Sequence, residues 1–251
     1  GLMFLGELIF LIGGLLAYVG VLSTGCAEME NQAFSWEDAL RRAFSVRSLR
    51  LVGATIVMGL AVVGVFLVPI VVILLGTALE ENILNGVGAL LLPVAFGVTF
   101  YLIFRWYVVS PAIVWEDAGV LQALSRSASL VKGHWWRTFG VVLLMMLVTQ
   151  LAISLITTPI SFVAMWGFIS QYFQLIGDMA AQNASPDPEQ ILKLFGSLGW
   201  GMGMMIVVSS ILSMLITPLI TVVVYYDLRA RNGEFPTPAQ TDSEGAAPQP
   251  V

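Results

Sequence analysis

Apolar and polar residues alternate along this chain in long blocks. Five of these, residues 2–22, 51–75, 83–104, 138–158 and 200–226, are almost wholly apolar. Each reaches the roughly 20 residues that a helix needs to cross the hydrocarbon of a bilayer. They predict an all-α polytopic bundle of about five transmembrane helices. Pro69, Pro93 and Pro218 fall inside the second, third and fifth blocks. Kinks are expected there rather than breaks, because neighbouring helices can satisfy the freed carbonyls. Residues 159–176 are apolar but interrupted, and read as a short interfacial or re-entrant piece. The chain starts at Gly1 in sequence that is already apolar, so preceding residues and a sixth span in the full-length protein are expected. Residues 1–231 are read as one integral membrane domain. Residues 232–251, rich in Pro, Ala, Gln, Ser and acids, are read as a disordered cytoplasmic tail.

Between the blocks the pattern becomes helical. The tetrapeptide Trp-Glu-Asp-Ala occurs at 36–39 and again at 115–118. After the second copy, Leu121, Leu124, Ala128, Val131 and Trp135 recur at steps of three and four, on one stripe of a helix. Gln122, Ser125, Arg126, Ser129 and Lys132 fall opposite. After the first copy, Trp36, Leu40, Ala43 and Phe44 form a similar stripe, and Ser35 with Asp38 makes a capping-box-like start. Helices of this kind lie in the headgroup plane, with Trp36, Trp115, Trp135 and Trp136 as interfacial anchors. Each copy is thus read as the start of an in-plane helix that leads into a span. Two spans separate the copies, which puts both on one side and suggests a parallel repeat, 35–104 and 114–226. The alternative is shared interfacial chemistry without duplication.

Charge then orients the bundle. Only 11 % of residues are charged, less than half the roughly 25 % of a soluble domain, and mean hydropathy is +0.89. Ten of the eleven basic residues (Arg41, Arg42, Arg47, Arg50, Arg105, Arg126, Lys132, Arg137, Arg229 and Arg231) fall on one side of a five-span layout. That side should be cytoplasmic, which predicts a multi-pass protein of the bacterial inner membrane with a cytoplasmic C-terminus. A net charge of −5 argues against nucleic acid. Cys26 is the sole cysteine, which excludes an intramolecular disulfide and a Cys-based zinc site.

Residues 105–144 resemble a group of bacterial multi-span proteins, the membrane domain associated with glycerophosphoryl diester phosphodiesterases. The resemblance lies in Pro111, Ala112 and Glu116, in Ala123-Leu-x-Arg-Ser127, in Leu130–Gly133, and in Trp136 and Arg137. A second patch, Tyr-Tyr-Asp-Leu-Arg-x-Arg at 225–231, is similar to that family's closing pattern. The resemblance implies a membrane domain separate from any catalytic one, and a further span at the start. Hydrolysis of that type needs a histidine pair and clustered carboxylates. This chain has one histidine, so the activity is not carried over.

Arg126, Lys132, His134 and Arg137 stand as a candidate site for lipid headgroups, since each juxtamembrane base attracts anionic lipid by about 1 kcal/mol. Simple topology determination explains the same residues. Asp227 and Arg229 form a candidate ion pair at the end of the last span. Gly199 and Gly203, at i and i+4, suit close helix packing rather than a nucleotide loop. No catalytic residue, metal site or cofactor is expected. The sequence favours a non-catalytic accessory or scaffold subunit that packs against another membrane protein or organises lipid. A transporter or lipid-handling permease is the alternative, and a membrane partner of a phosphodiesterase a weaker one.

Overall fold

The computed structural model describes residues 2–182 and 188–235. These fold as helices and connections, with no strand among the described residues. The order is α1 (Leu2–Met29), α2 (Trp36–Ala43), α3 (Val46–Ala78), α4 (Asn82–Arg105), α5 (Val109–Val114), α6 (Val120–Val131), α7 (Trp135–Gln182) and α8 (Pro188–Arg231). Five of these (α1, α3, α4, α7 and α8) contain windows long and apolar enough to cross a membrane, as the block pattern predicts. The protein is an all-α helical membrane protein.

The chain divides into two compact units, residues 1–142 with 218–251, and residues 143–217. In the first, the buried core gathers at the ends of helices rather than along their apolar middles. Val19, Leu22 and Cys26 of α1, the whole of α5, Ala123 and Leu130 of α6, and Val222, Tyr225 and Leu228 of α8 are its members. The six residues of α5 are all buried, which the sequence pattern did not anticipate. Helix α2 begins as expected. The Ser35 hydroxyl accepts from the Asp38 amide at 3.2 Å, and Asp38 Oδ2 accepts from the Ser35 amide at 3.1 Å.

Helices α3 and α4 form a tight hairpin because two glycines let the backbones touch. A methyl group on Gly88 would sit 2.5 Å from Ile73 Cγ1, and one on Gly76 would sit 2.7 Å from the Asn85 amide nitrogen. Gly199 and Gly203 do not play this part, since a side chain there would meet nothing within 4 Å. The small-residue spacing is present, but among the described residues no helix of this chain packs closely at those two.

The second unit holds the part of α7 from residue 143 onward and the part of α8 up to residue 217. Residues 159–176 are not an interruption, because α7 runs unbroken through Pro159 for 48 residues. That is more than twice the length a span needs. Its hydroxyls turn back onto their own helix. Ser154 donates to the Leu151 carbonyl at 2.8 Å and Ser161 to the Thr158 carbonyl at 2.8 Å, so neither is left unpaired in an apolar setting.

Two further readings change. The apolar stripe predicted for α6 is rotated. Leu121 is 73 % exposed, while Ser127 is fully buried and donates to the Arg105 carbonyl at 3.0 Å. The helix therefore packs Ala123, Leu124, Ser127, Leu130 and Val131 inward. Residues 232–235 belong with the folded helices and not with the tail expected from residue 232. Asn232 donates to the Leu130 carbonyl at 3.1 Å and the Phe235 ring stacks on Tyr226 at 6.0 Å, while 236–251 lie outside the described residues.

The glycine contacts give a paired expectation. Gly88→Ala should lower the thermal midpoint in detergent by an amount corresponding to about 1–3 kcal/mol of overpacking. Gly199→Ala should leave it unchanged or raise it slightly, by up to about 1 kcal/mol of helix propensity. A Gly88→Ala protein as stable as the parent would refute the close approach.

Candidate functional site

Where α1 ends, α8 ends and α5 passes into α6, three carboxylates and two guanidiniums interlock. Glu30 lies just past α1, whose last turn is closed by Asn31 in the left-handed region (φ 52°). Its Oε1 accepts from the Trp115 indole at 2.9 Å, from the Tyr226 hydroxyl at 2.8 Å and from Arg229 at 3.3 Å. Glu116 accepts from the Tyr225 hydroxyl and from the Arg126 Nε and Nη2, the latter at 3.0 Å. Glu234 joins the two halves, accepting from Arg126 at 2.7 Å and from Arg229 at 2.8 Å. Each of the three glutamates keeps 24 % of its side chain exposed. The cluster therefore sits at a boundary rather than in a dry interior.

The second Trp-Glu-Asp-Ala copy explains itself here. Trp115 serves Glu30, Glu116 serves Tyr225 and Arg126, and Ala118 is buried. Asp117 takes the left-handed region (φ 57°) and accepts from Arg47 at 3.2 Å and Arg50 at 2.8 Å. This copy is a connection rather than a helix start, because α6 begins only after Gly119. The first copy does open a helix. The same four letters thus do unlike work in the two places.

Electrostatics follow the contacts. Burial acts to raise the Glu30 pKa, but the hydrogen bonds from Tyr226, Trp115 and Arg229 outweigh it and hold the carboxyl below its ordinary value of 4.5. Arg126, and less strongly Arg229, lower Glu234 against the opposing effect of burial. Arg126 is correspondingly pushed up, by its bonds to Glu116 and Glu234. The Arg229 guanidinium also lies over the Tyr225, Tyr226 and Phe235 rings, at 5.4, 5.4 and 4.9 Å. Among the described residues no three of His, Cys, Asp and Glu converge as a metal ion would require.

The predicted site residues divide. Arg126 is saturated by glutamates, and Arg137 reaches Asp227 at 3.6 Å, while Lys132 is exposed and His134 half-buried. The four do not stand together as free cations, because the fold supplies carboxylates that the local sequence does not show. The Asp227–Arg229 pair is also corrected. Asp227 pairs with Arg231 at 3.0 Å and with Arg137, whereas Arg229 turns to Glu30 and Glu234. Residues 227 and 231 share a helix face and 227 and 229 do not. Of the four tryptophans, Trp36 and Trp136 are exposed at 71 % and 77 %. Trp115 belongs to the cluster, and Trp135 packs against Phe104 and Phe139 and donates to the Tyr101 carbonyl at 3.2 Å. Glu30 and Glu234 were missed. Their only sequence signal is an acid just beyond each end of an apolar block.

A family model described as a domain of unknown function, DUF7847, matches residues 36–228. The chain belongs to this family. No curated protein and no solved structure matches it. The DUF7847 match takes in Glu116, Arg126 and the two tyrosines of the cluster, while Glu30 and Glu234 lie just outside it.

Acid should loosen this junction. The unfolded chain takes up protons on Glu30 and Glu234 near 4.5, before the folded one does. Stability is therefore full above that value and falls as pH drops through the lower folded values. Thermal midpoints followed by tryptophan fluorescence should decline below pH 4.5 in the parent and decline less in Glu30→Gln/Glu234→Gln. At pH 7 Glu30→Ala should cost about 1–3 kcal/mol, for the donors it leaves unpaired. Equal acid sensitivity in parent and double variant would remove these two carboxylates from the account.

Proposed function

We propose that this protein is a non-catalytic accessory or scaffold subunit of the bacterial cytoplasmic membrane, which packs against another membrane protein or organises lipid around one. The observation that carries this reading is how little of its apolar surface the protein covers for itself. Helix α3 buries only 6 % of its most apolar window inside the protein. Ile56, Leu60, Val63, Leu67 and Leu74 form one exposed stripe along it, at helical spacing. Apart from the seam that α3 shares with α4, an apolar face that no helix of its own chain covers is covered by lipid or by another protein's helix.

The orientation in this reading follows the ten bases. Hydrogen bonds tie the end of α1, the start of α3, the end of α4, the start of α7 and the end of α8 into one assembly, and this is where those bases lie. With that end cytoplasmic, the C-terminus beyond Phe235 is cytoplasmic too. Two cavities of the first unit, of about 840 and 720 Å³, are lined mainly by apolar side chains, which suits acyl chains better than a polar transported solute.

Leu60→Trp/Leu67→Trp separates protein contact from lipid contact. Fluid lipid accommodates two added rings, and a packed helix interface does not. After extraction in mild detergent, a stoichiometric partner should accompany the parent and fall at least fivefold with the variant, at unchanged thermal midpoint. A parent that elutes alone, with solute flux in proteoliposomes, would overturn the scaffold reading in favour of a permease.

A further inference from the structure

The short helix α2 is a wall between two unlike spaces. On one side, Trp36, Leu40 and Phe44 face α1 across an apolar groove of about 840 Å³. Gly13 and Gly20 form part of its lining, and a side chain at either would meet nothing within 4 Å. On the other side lies a cleft of about 640 Å³ lined by Arg41, Arg42, Arg47 and Arg50 with Asp38 and Asp117. Four cations against two carboxylates leave the cleft net positive. Both carboxylates are already engaged, Asp38 by Ser35 and Asp117 by Arg47 and Arg50.

Arg42 is the informative member. Its guanidinium lies over Trp115 at 4.4 Å and Phe34 at 4.9 Å, and its Nη1 is buried with no hydrogen-bond partner. No carboxylate pairs with Arg42 or with the exposed Arg41 among the described residues. Burial, and after it the repulsion of Arg47, both disfavour the Arg42 cation, a cost that an anion in the cleft would remove. Arginine forks match phosphate oxygens in pairs.

We propose that α2 holds one anionic phospholipid, its phosphate in the arginine cleft and an acyl chain in the groove beside α1. Helix α2 joins α1 to α3, both long and apolar enough to cross a membrane, so a bilayer spanned by both would set α2 at the depth where headgroup and chain meet. The proposal rests on the membrane placement above and not on the scaffold role, since a protein with no partner could hold this lipid. It also moves the lipid site from Arg126, Lys132, His134 and Arg137 to the arginines of α2 and of the first turns of α3.

Native mass spectrometry of the full chain in detergent, titrated with phosphatidylglycerol or phosphatidylcholine, tests it. The parent should retain phosphatidylglycerol at least tenfold better. Arg41→Glu/Arg42→Gln should remove that preference, and Lys132→Gln/Arg137→Gln should keep it. Should the Arg42 variant fail to fold, Arg41→Glu alone, at an exposed side chain, should cut the preference about fivefold. Ala39→Trp, which fills the groove, should weaken long-chain phosphatidylglycerol without changing the response to inorganic phosphate. Equal retention of the two lipids by the parent, or a preference that Arg41→Glu leaves undiminished, overturns the proposal. Stabilisation by inorganic phosphate as large as that by phosphatidylglycerol also overturns it, by assigning the cleft to a soluble anion. Because the scaffold test reads α3 and a protein partner, either reading can fail while the other stands.

Discussion

The structure depends on giving partners to three glutamates at the rim of an apolar bundle. A carboxylate taken from water into such a setting costs several kcal/mol unless donors replace the lost hydration. Glu30 receives three, Glu116 is held by Tyr225 and Arg126, and Glu234 by two arginines. These donors come from α6, α8 and the connection before α6. Satisfying the carboxylates therefore fixes how the end of α1, the segment carrying Trp115 and the end of α8 sit together. Tyr225 and Tyr226 are adjacent, yet each reaches a different glutamate. A single helix end thus clamps two other segments at once.

From this junction comes the uneven distribution of packing in the first unit. The end bearing the cluster holds α5, all of whose residues are buried, while α3 leaves nearly all of its apolar window outside the core. In water this would be untenable, because an exposed apolar helix would drive aggregation. In a bilayer the hydrophobic effect no longer acts between helices, and association needs close backbone contact or polar bonds. The first unit uses both: glycines 76 and 88 join α3 to α4, and the glutamate cluster joins the ends.

Which of this could be read from sequence follows from the range of each cause. The five spans and the Ser35–Asp38 cap depend on residues within a turn or a window of one another, and both are legible. The second Trp-Glu-Asp-Ala is not, because Glu30 and Tyr225 lie 85 and 109 residues from Trp115 and Glu116. Helix α6 shows the same limit. Its hydrophobic stripe predicts Leu121 inward, but burying the Ser127 hydroxyl onto the Arg105 carbonyl turns that face away. Pro159 misleads in the opposite sense. Proline removes one amide donor, and α7 continues through it, so a composition break there was not a structural one.

The basic residues show why topology and lipid affinity are different questions. During insertion every arginine acts on orientation as a free cation, and the positive-inside bias counts them alike. In the folded protein, Arg47, Arg50, Arg126, Arg137, Arg229 and Arg231 each hold a carboxylate. Their fields are largely cancelled at a headgroup. Arg41, Arg42, Arg105 and Lys132 have no such partner among the described residues, and Arg105 leans on the Tyr101 hydroxyl instead. Arg105 and Lys132 line a small cleft of about 180 Å³, while Arg41 and Arg42, both on α2, line the cleft of about 640 Å³ that Arg47 and Arg50 also enter. Folding thus reduces ten roughly equal charges to four without a carboxylate, two of them on one short amphipathic helix where two further arginines join them. A residue that sets which way the chain enters the membrane need not be one that holds a lipid afterwards.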